Sequence, residues 1–342
     1  MKILGIETSC DETAAAVVQD GKKLLSNVIK SQIDIHAQYG GVVPEVAARS
    51  HIEVMMPVVH KALSDAETSW NDIDAVAVTY APGLIGSLLV GTLTARTLAM
   101  IKNKPLYPIH HIKAHVYANF LLEHAPEFPI LALIVSGGHS QLVLFESHEK
   151  YKILGQTQDD AVGEAFDKVA KILGLPYPGG PSISSAALNG DPNKYPLPKS
   201  TMKNPLDFSF SGLKTAVLRS AQREIGKDFT FPSSQISPLL TDTQRNDFAA
   251  SFQKTAVETL VDKTIMAYTQ HSPASVVIAG GVAANNELRI QLEKRLPITI
   301  NYPPMELCTD NAAMIATLAY YQAQLTQPTD PRKLEVFPSL SI

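Results

Sequence analysis

Short β-branched apolar runs alternate with segments of helical periodicity along this chain, and that alternation limits its fold more than any other feature. Lys2 to Thr8, Thr13 to Gln19 and Lys23 to Ile29 read as three successive strands. Pro44 opens a helix that runs to about Ala66, with Glu45 in its first turn. Residues 74–80 (DAVAVTY) form a buried strand, and a helix from about Leu84 follows the APGLIGS turn. The order then begins again. PILALIVS (129–136) and Gln141 to Phe145 read as paired strands, with Lys152 to Thr157 as a third. Helices are predicted at about 160–173 and 180–189, with a long one at about 241–271. SVVIA (275–279) is a strand, and helices follow at about 284–295 and 311–325. Alternation of this kind predicts an α/β protein with helices packed on mixed sheets.

Two strand-turn-strand segments read as internal counterparts: ILGIETSCDETAAAVV (3–18) and LALIVSGGHSQLVLF (131–145). In each, an apolar strand enters a tight polar or glycine-containing turn and another leaves it. Two such hairpins facing one another would bracket a cleft, and two ordinary hairpins of a mixed sheet give the same pattern. The residues leave both readings open. A chain of 342 residues suggests two lobes at roughly 150 residues per domain, and it buries a core without disulfides. Its two cysteines, Cys10 and Cys308, exclude a disulfide-stapled secreted scaffold and suit a reducing cytosol.

Acidic residues at Glu7, Asp11 and Glu12 come too early for a signal-peptide apolar region. The longest apolar stretch, Leu84 to Ile101, holds Gly86, Ser87, Gly91, Thr92 and Arg96. It reads as a buried helix, too polar and too short for a membrane span. A cytoplasmic location without membrane association is expected. With 29 Lys+Arg against 33 Asp+Glu, the net charge of -4 excludes a protein that coats nucleic acid through bulk charge. Local contact with RNA stays open. Residues 190–210 are dominated by Pro, Asn and Lys and read as an ordered surface excursion. Between Asp191 and Asp228, seven Lys/Arg stand against four acids, an excess that a solvated surface explains.

HHIKAH (110–115) carries the strongest local signal. If the segment is helical, His111 and His115 point from one face, while His110 lies about 100° further round. Imidazole nitrogens suit zinc or ferrous iron. No glutamate follows the first histidine, so the zinc-protease pattern with its general base is missing. A third ligand is needed, and Asp310 in CTDNAAM is the candidate; its ordinary role there is a helix N-cap. Glycine turns are the second signal: VSGGHS (135–140), YPGGP (177–181) and AGGVAANNEL (279–288). Gly280 and Gly281 let the backbone approach a ligand, the helix beyond favours phosphate, and Asn285 can bond a base or ribose there. None of these turns matches GxxxxGK[ST] or GxGxxG. Asp160, Glu164 and Asp167 share a helix face, where mutual repulsion mildly favours a ligand-facing role. Cys10 lies beside Asp11 with no partner base near it in sequence, so a nucleophilic role has little support.

Taken together, GIETSCDETAAAV, GGVVPEVAARSH, APGLIGSLLVG, HHIKAH, VSGGHS, DDAVGEAFDKVAKILGLPYPGGP, FSFSGLKTAV and GGVAANNELR resemble the TsaD family across essentially the whole chain. These are the bacterial tRNA N6-adenosine threonylcarbamoyltransferases. The resemblance implies a two-lobed actin/Hsp70/sugar-kinase (ASKHA) fold with a nucleotide cleft between lobes. On that basis residues 1–108 form the N-terminal lobe and 109–309 the C-terminal lobe with the metal and nucleotide motifs, the helix at about 310–325 packing back on the first. By motif, the family's metal ligands fall on His111, His115 and Asp310. Its substrate-binding loop falls on Val135, Ser136, Gly137, Gly138 and His139, with further contacts on Asp167, Gly180 and Asn285. Ser184 stands where some relatives carry an acidic residue after the PGGP turn.

The implied reaction moves the threonylcarbamoyl group from threonylcarbamoyl-AMP to N6 of the adenosine beside the anticodon, in tRNAs reading codons that begin with A. His139 or Asp11 is expected to assist proton movement. The implied cofactor is one divalent metal, Fe(II) favoured and Zn(II) the alternative. The implied partners are threonylcarbamoyl-AMP, tRNA, a TsaB-like paralogue and a TsaE-like ATPase. An ATPase or kinase of the same fold is the main rival, but it leaves the histidine pair without a role. A metalloprotease lacks its glutamate base.

Overall fold

The structure, a computed structural model, describes residues 1–342. It contains two compact units, Met1–Pro126 with Pro303–Ile342, and Glu127–Tyr302. These limits differ from a division at 108 and 309, and the histidine segment falls in the first unit. The reason is a strand the periodicity does not reveal. β5 (Leu106–His110) completes the first sheet as its edge, and the following helix continues directly from it. Pro108 hides this strand, because proline donates nothing to a ladder and is tolerated only at an edge.

The first unit opens with β1 (Lys2–Glu7), β2 (Glu12–Gln19) and β3 (Lys23–Ser31). α1 (Ile33–Ala37), α2 (Pro44–Asp65), β4 (Ala75–Ala81), α3 (Ile85–Lys102), β5 and α4 (His111–Tyr117) follow. The strand order is β3-β2-β1-β4-β5. β1 is antiparallel to β2 and β2 to β3, whereas β4 runs parallel to β1 and β5 parallel to β4. Leu4, Ile6, Val76 and Val78 pack with Val59 and Ala62 of α2 and Ala95 and Leu98 of α3. α3 is the one helix long and apolar enough to cross a membrane by length and composition, with a mean hydropathy of 1.2. Length therefore does not exclude a span. Its packing against β4 and α2 buries one face only, Ser87, Leu88, Gly91, Thr92, Ala95, Leu98 and Ala99, while Ile85, Leu89, Leu93, Met100 and Ile101 stay exposed. The helix is therefore half-buried where the sequence reads as buried.

The second unit contains β6 (Ile130–Val135), β7 (Ser140–Phe145), β8 (Tyr151–Gln156), α5 (Val162–Leu173), α6 (Gly179–Ala187) and α7 (Ser211–Glu224). α8 (Asp242–His271), β9 (Ser275–Ala279), α9 (Asn286–Arg295) and β10 (Ile300–Asn301) complete it. Its sheet order is β10-β9-β6-β7-β8. β6, β7 and β8 form an antiparallel meander, while β9 and β10 add parallel strands on the other side of β6. Both sheets therefore use one plan: third, second, first, fourth, fifth. The two hairpins read as counterparts in sequence are the corresponding first pairs of two like sheets.

Residues 190–210 contain neither helix nor strand, yet they are tied down. Asp191 N donates to Asp247 Oδ1 at 2.7 Å, and the Tyr195 ring stacks on Phe248 with centroids 3.7 Å apart. α7 follows them and is not evident from sequence, because its buried apolar residues Leu213, Val217 and Ala221 make only a narrow stripe, beside the buried polar Gln222. The chain then returns to the first unit as α10 (Met305–Cys308) and α11 (Ala312–Ala323). α11 lies directly on β1, where a Cβ on Gly5 would sit 2.4 Å from the Ala312 carbonyl oxygen. Only glycine allows that approach.

Candidate metal centre and nucleotide-binding turns

α4 begins at His111, where β5 ends. His111 and His115 thus stand one turn apart, with Nε2 atoms 3.2 Å from each other. Asp310 Oδ1 lies 3.5 Å from His111 Nε2 and 3.3 Å from His115 Nε2. The three ligand atoms fall within 4.8 Å of one another. Two imidazoles and a carboxylate on one point are a donor set suited to zinc or ferrous iron. His110 ends β5 and sends Nε2 to the Leu340 carbonyl, 3.2 Å away. The helix stops at Tyr117 and tightens into a 3-10 turn at Ala118–Leu121, shorter than HHIKAH and its continuation suggest. Asp310 is not the cap of α11. Asn311 takes that place, its side chain accepting from Met314 N at 3.1 Å, which leaves the Asp310 carboxylate to the histidines.

Glu7, which sequence reasoning passed over, is fully buried at the end of β1. Its Oε2 lies 3.0 Å from His111 Nδ1 and accepts from Thr79 Oγ1 at 2.5 Å, while Oε1 accepts from Ser9 N at 2.5 Å. Burial pulls the Glu7 carboxyl up, but His111 and Thr79 bring it below its usual range. For His111, burial acts downward, and Asp310 and Glu7 push it up to about 9. The only signal for Glu7 in sequence is an acid closing an apolar strand.

Asp11 is buried in the β1–β2 turn. Burial, then Asp310 and Asp11, drives the Glu12 carboxyl well above its usual range. Burial, then Asp11 and Asp310, does the same to the Cys10 thiol, which suppresses the thiolate a nucleophile needs.

In the second unit, Val135 ends β6 and residues 136–139 turn into β7. Ser136 N donates to His139 O at 2.8 Å, and His139 N to Ser136 Oγ at 3.2 Å. Those two N–H groups are spent inside the turn, and Gly137 and Gly138 are exposed. Gly280 has φ +90°, and a Cβ there would lie 2.4 Å from Val135 O, so this turn requires glycine and draws the end of β9 against β6. Asp167 Oδ1 accepts from Gly179 N at 2.7 Å and fixes the start of α6. At Gly180 an added Cβ would meet nothing within 4 Å. Asn285 caps α9 through Leu288 N, and its amide donates to Ser184 Oγ at 3.1 Å and Gln253 Oε1 at 3.0 Å. Ser184 also donates to Gln253, at 2.8 Å. Gln253 belongs to no motif, so nothing in the sequence marks it.

Asp160 precedes α5, which starts at Val162, so it does not share a helix face with Glu164 and Asp167. The acidic charge here is also mostly neutralised, and repulsion does not argue for a ligand. Asp160 pairs with Lys168 and Lys214, and Glu164 with Lys168. The basic stretch is likewise thinner than its count. Lys199 pairs with Glu258 and Asp262, and Lys214 is held by Asp160.

Residues 23–317 match the TsaD family, described as tRNA N6-adenosine threonylcarbamoyltransferase. A protein of that name from Symbiobacterium thermophilum is 51% identical over 322 residues, covering 93% of this chain and 91% of its own. Another from Dehalococcoides mccartyi is 49% identical over 342 residues, covering 100% of this chain and 99% of its own. Among solved structures, component A of the Acidaminococcus fermentans (R)-2-hydroxyglutaryl-CoA dehydratase aligns with a TM-score of 0.51 at 16% identity, covering 95% of this chain and 99% of its own. That likeness concerns the fold alone, which is of the ASKHA type.

Proposed function

The chain belongs to the TsaD family and is a tRNA N6-adenosine threonylcarbamoyltransferase, and from that premise we propose how its residues divide the reaction. The donor is threonylcarbamoyl-AMP and the acceptor is N6 of the adenosine beside the anticodon, in tRNAs reading codons that begin with A. N6 bonds to the carbamoyl carbon, the bond from that carbon to the phosphate oxygen breaks, AMP leaves with the electron pair, and N6 loses a proton. An adenine amine is a weak nucleophile, so activation comes from the mixed anhydride and no protein nucleophile is required. The high-lying Cys10 thiol accords with that.

His111, His115 and Asp310 are the residues that would hold one divalent metal, Fe(II) favoured and Zn(II) the alternative. When bound, such an ion supplies a Lewis acid for carbonyl or phosphate oxygens. The convergence of the three donor atoms within 4.8 Å carries this reading. Val135, Ser136, Gly137, Gly138 and His139, with Asp167, Gly180 and Asn285, bind the adenylate. Because Ser136 and His139 spend their N–H groups within the turn, the amides of Gly137 and Gly138 are the ones offered to the phosphate. Ser184 takes the acidic residue's place as one member of the Asn285–Gln253 network. His139 or Asp11 takes the N6 proton. The metal ligands belong to the compact unit formed by Met1–Pro126 with Pro303–Ile342, and the adenylate-binding turns to Glu127–Tyr302, so the functional division follows these units and not a boundary at 108 and 309.

A TsaB-like paralogue and a TsaE-like ATPase complete the cytoplasmic system. Exposed Ile52 on α2 and Ile85, Leu89 and Leu93 on α3 give a protein partner apolar surface to cover. The test is reconstitution with unmodified tRNA, threonine, bicarbonate, ATP, the adenylate-forming enzyme and the partners, read by nucleoside mass spectrometry. His111→Ala should lose the modification while retaining adenylate binding. Unchanged modification and metal content in His111→Ala and His115→Ala would remove the metal from the reading.

A further inference from the structure

We propose that Glu7 is the positioning residue of the metal centre: it holds the His111 ring with Nδ1 protonated and Nε2 turned toward His115 and Asp310. The inference rests on reading His111, His115 and Asp310 as ligands of a divalent metal. A neutral imidazole offers a metal only the nitrogen that carries no proton, and the partner of the other nitrogen decides which one that is. Glu7 is fully buried, and its carboxylate is held from three directions. The β1–β2 turn supplies Ser9 N, β4 supplies Thr79 Oγ1, and α4 supplies His111 Nδ1. Ser9 Oγ lies 3.1 Å from the same His111 nitrogen.

An ionised carboxylate only accepts, so His111 must donate from Nδ1. Its Nε2, once a bound metal takes the place of its proton, is then the ligand atom, and it faces His115 Nε2 and Asp310 Oδ1. His115 has no such support, because its Nδ1 is buried without a hydrogen-bond partner. Of the two histidines, only His111 is therefore set in advance, and Glu7 sets it. Glu7 lies 104 positions from His111 in the chain, and only the central place of β1 between β2 and β4 brings them together.

Zinc(II) binding to the full chain, measured by competition with a chromophoric chelator, tests this. Glu7→Gln keeps the side-chain shape and loses the obligate acceptor. Its zinc affinity should fall about 10–100-fold with an unchanged far-UV circular dichroism spectrum. Thr79→Val, which loosens the carboxylate without touching His111, should weaken zinc in the same direction by less. Affinity of Glu7→Gln within twofold of the parent overturns the proposal. The parent protein gives an independent reading, should Glu7→Gln not fold. In zinc-loaded, 15N-histidine-labelled protein, His111 should show a protonated Nδ1 and a metal-bound Nε2, and zinc on Nδ1 overturns the assignment. His115→Ala separates the two failures. If the parent binds zinc no better than His115→Ala, the metal reading itself falls and takes this role with it. If the parent binds zinc well and Glu7→Gln binds equally well, only the role of Glu7 falls.

Discussion

His111 sits between two carboxylates, and the balance of burial against Asp310 and Glu7 leaves its pKa at about 9. A histidine raised above its unfolded value of about 6.5 adds stability that is complete below that pH and fades as pH rises through the folded value. Glu7 is depressed, so its share is present above the ordinary Glu range and is lost as pH falls through its folded value. Both shares describe one ion pair. In the metal-free protein that pair should stabilise at neutral pH and weaken as pH climbs toward 9, which thermal melts can follow. Metal uptake runs the other way. At pH 7 a cation must displace the His111 proton, so zinc affinity should rise by up to about tenfold per pH unit between 6.5 and 9. A chelator competition that is flat from pH 6.5 to 8.5 contradicts this. At this scale the sequence exposed what is local. His111 and His115 are neighbours on one helix, so their spacing announced them. Glu7 gave no such signal, because its partner is distant in the chain.

Elements decide where those side chains go. α4 is only seven residues long, yet it starts where β5 ends, which fixes the rotation of both histidines. α11 delivers Asp310 from the far end of the chain, and its start depends on Asn311, which is fully buried. The Asn311 side chain accepts from Met314 N and donates to Leu307 O and Thr309 O, bonding on both sides of Asp310. Asn311→Ala should therefore cost about 1–2 kcal/mol of stability through the lost cap. It should also weaken zinc binding, since Asp310 is then held less firmly. A melt combined with a chelator titration checks both, and full zinc affinity in a destabilised variant would sever the cap from the site. Hairpins, long helices and the buried strands 75–81 and 275–279 were legible, because apolar period and turn chemistry are properties of short windows. β5 was not, since Pro108 masks it. Nor was α7, whose buried apolar stripe is one residue wide per turn.

The whole molecule carries a net charge of -4, and two of the lysines in its basic stretch are already paired with acids. Phosphate contacts dominate nucleic-acid affinity. We expect the isolated chain to bind unmodified tRNA weakly and to modify it poorly, with both rising when the paralogue and the ATPase are added. Sustained multiple turnover by the chain alone would refute this. The two units repeat one strand plan, although the two hairpins that hinted at it share few residues. Chain-local order decided the α/β class, the turns and the histidine pair, because hydrophobic period, glycine and i,i+4 spacing act within a few residues. Tertiary structure alone decided the strand order, the release of Asp310 from capping and the burial of Glu7 against His111. Those depend on which distant segments share a sheet, and pairing between segments a hundred residues apart leaves no mark on either one.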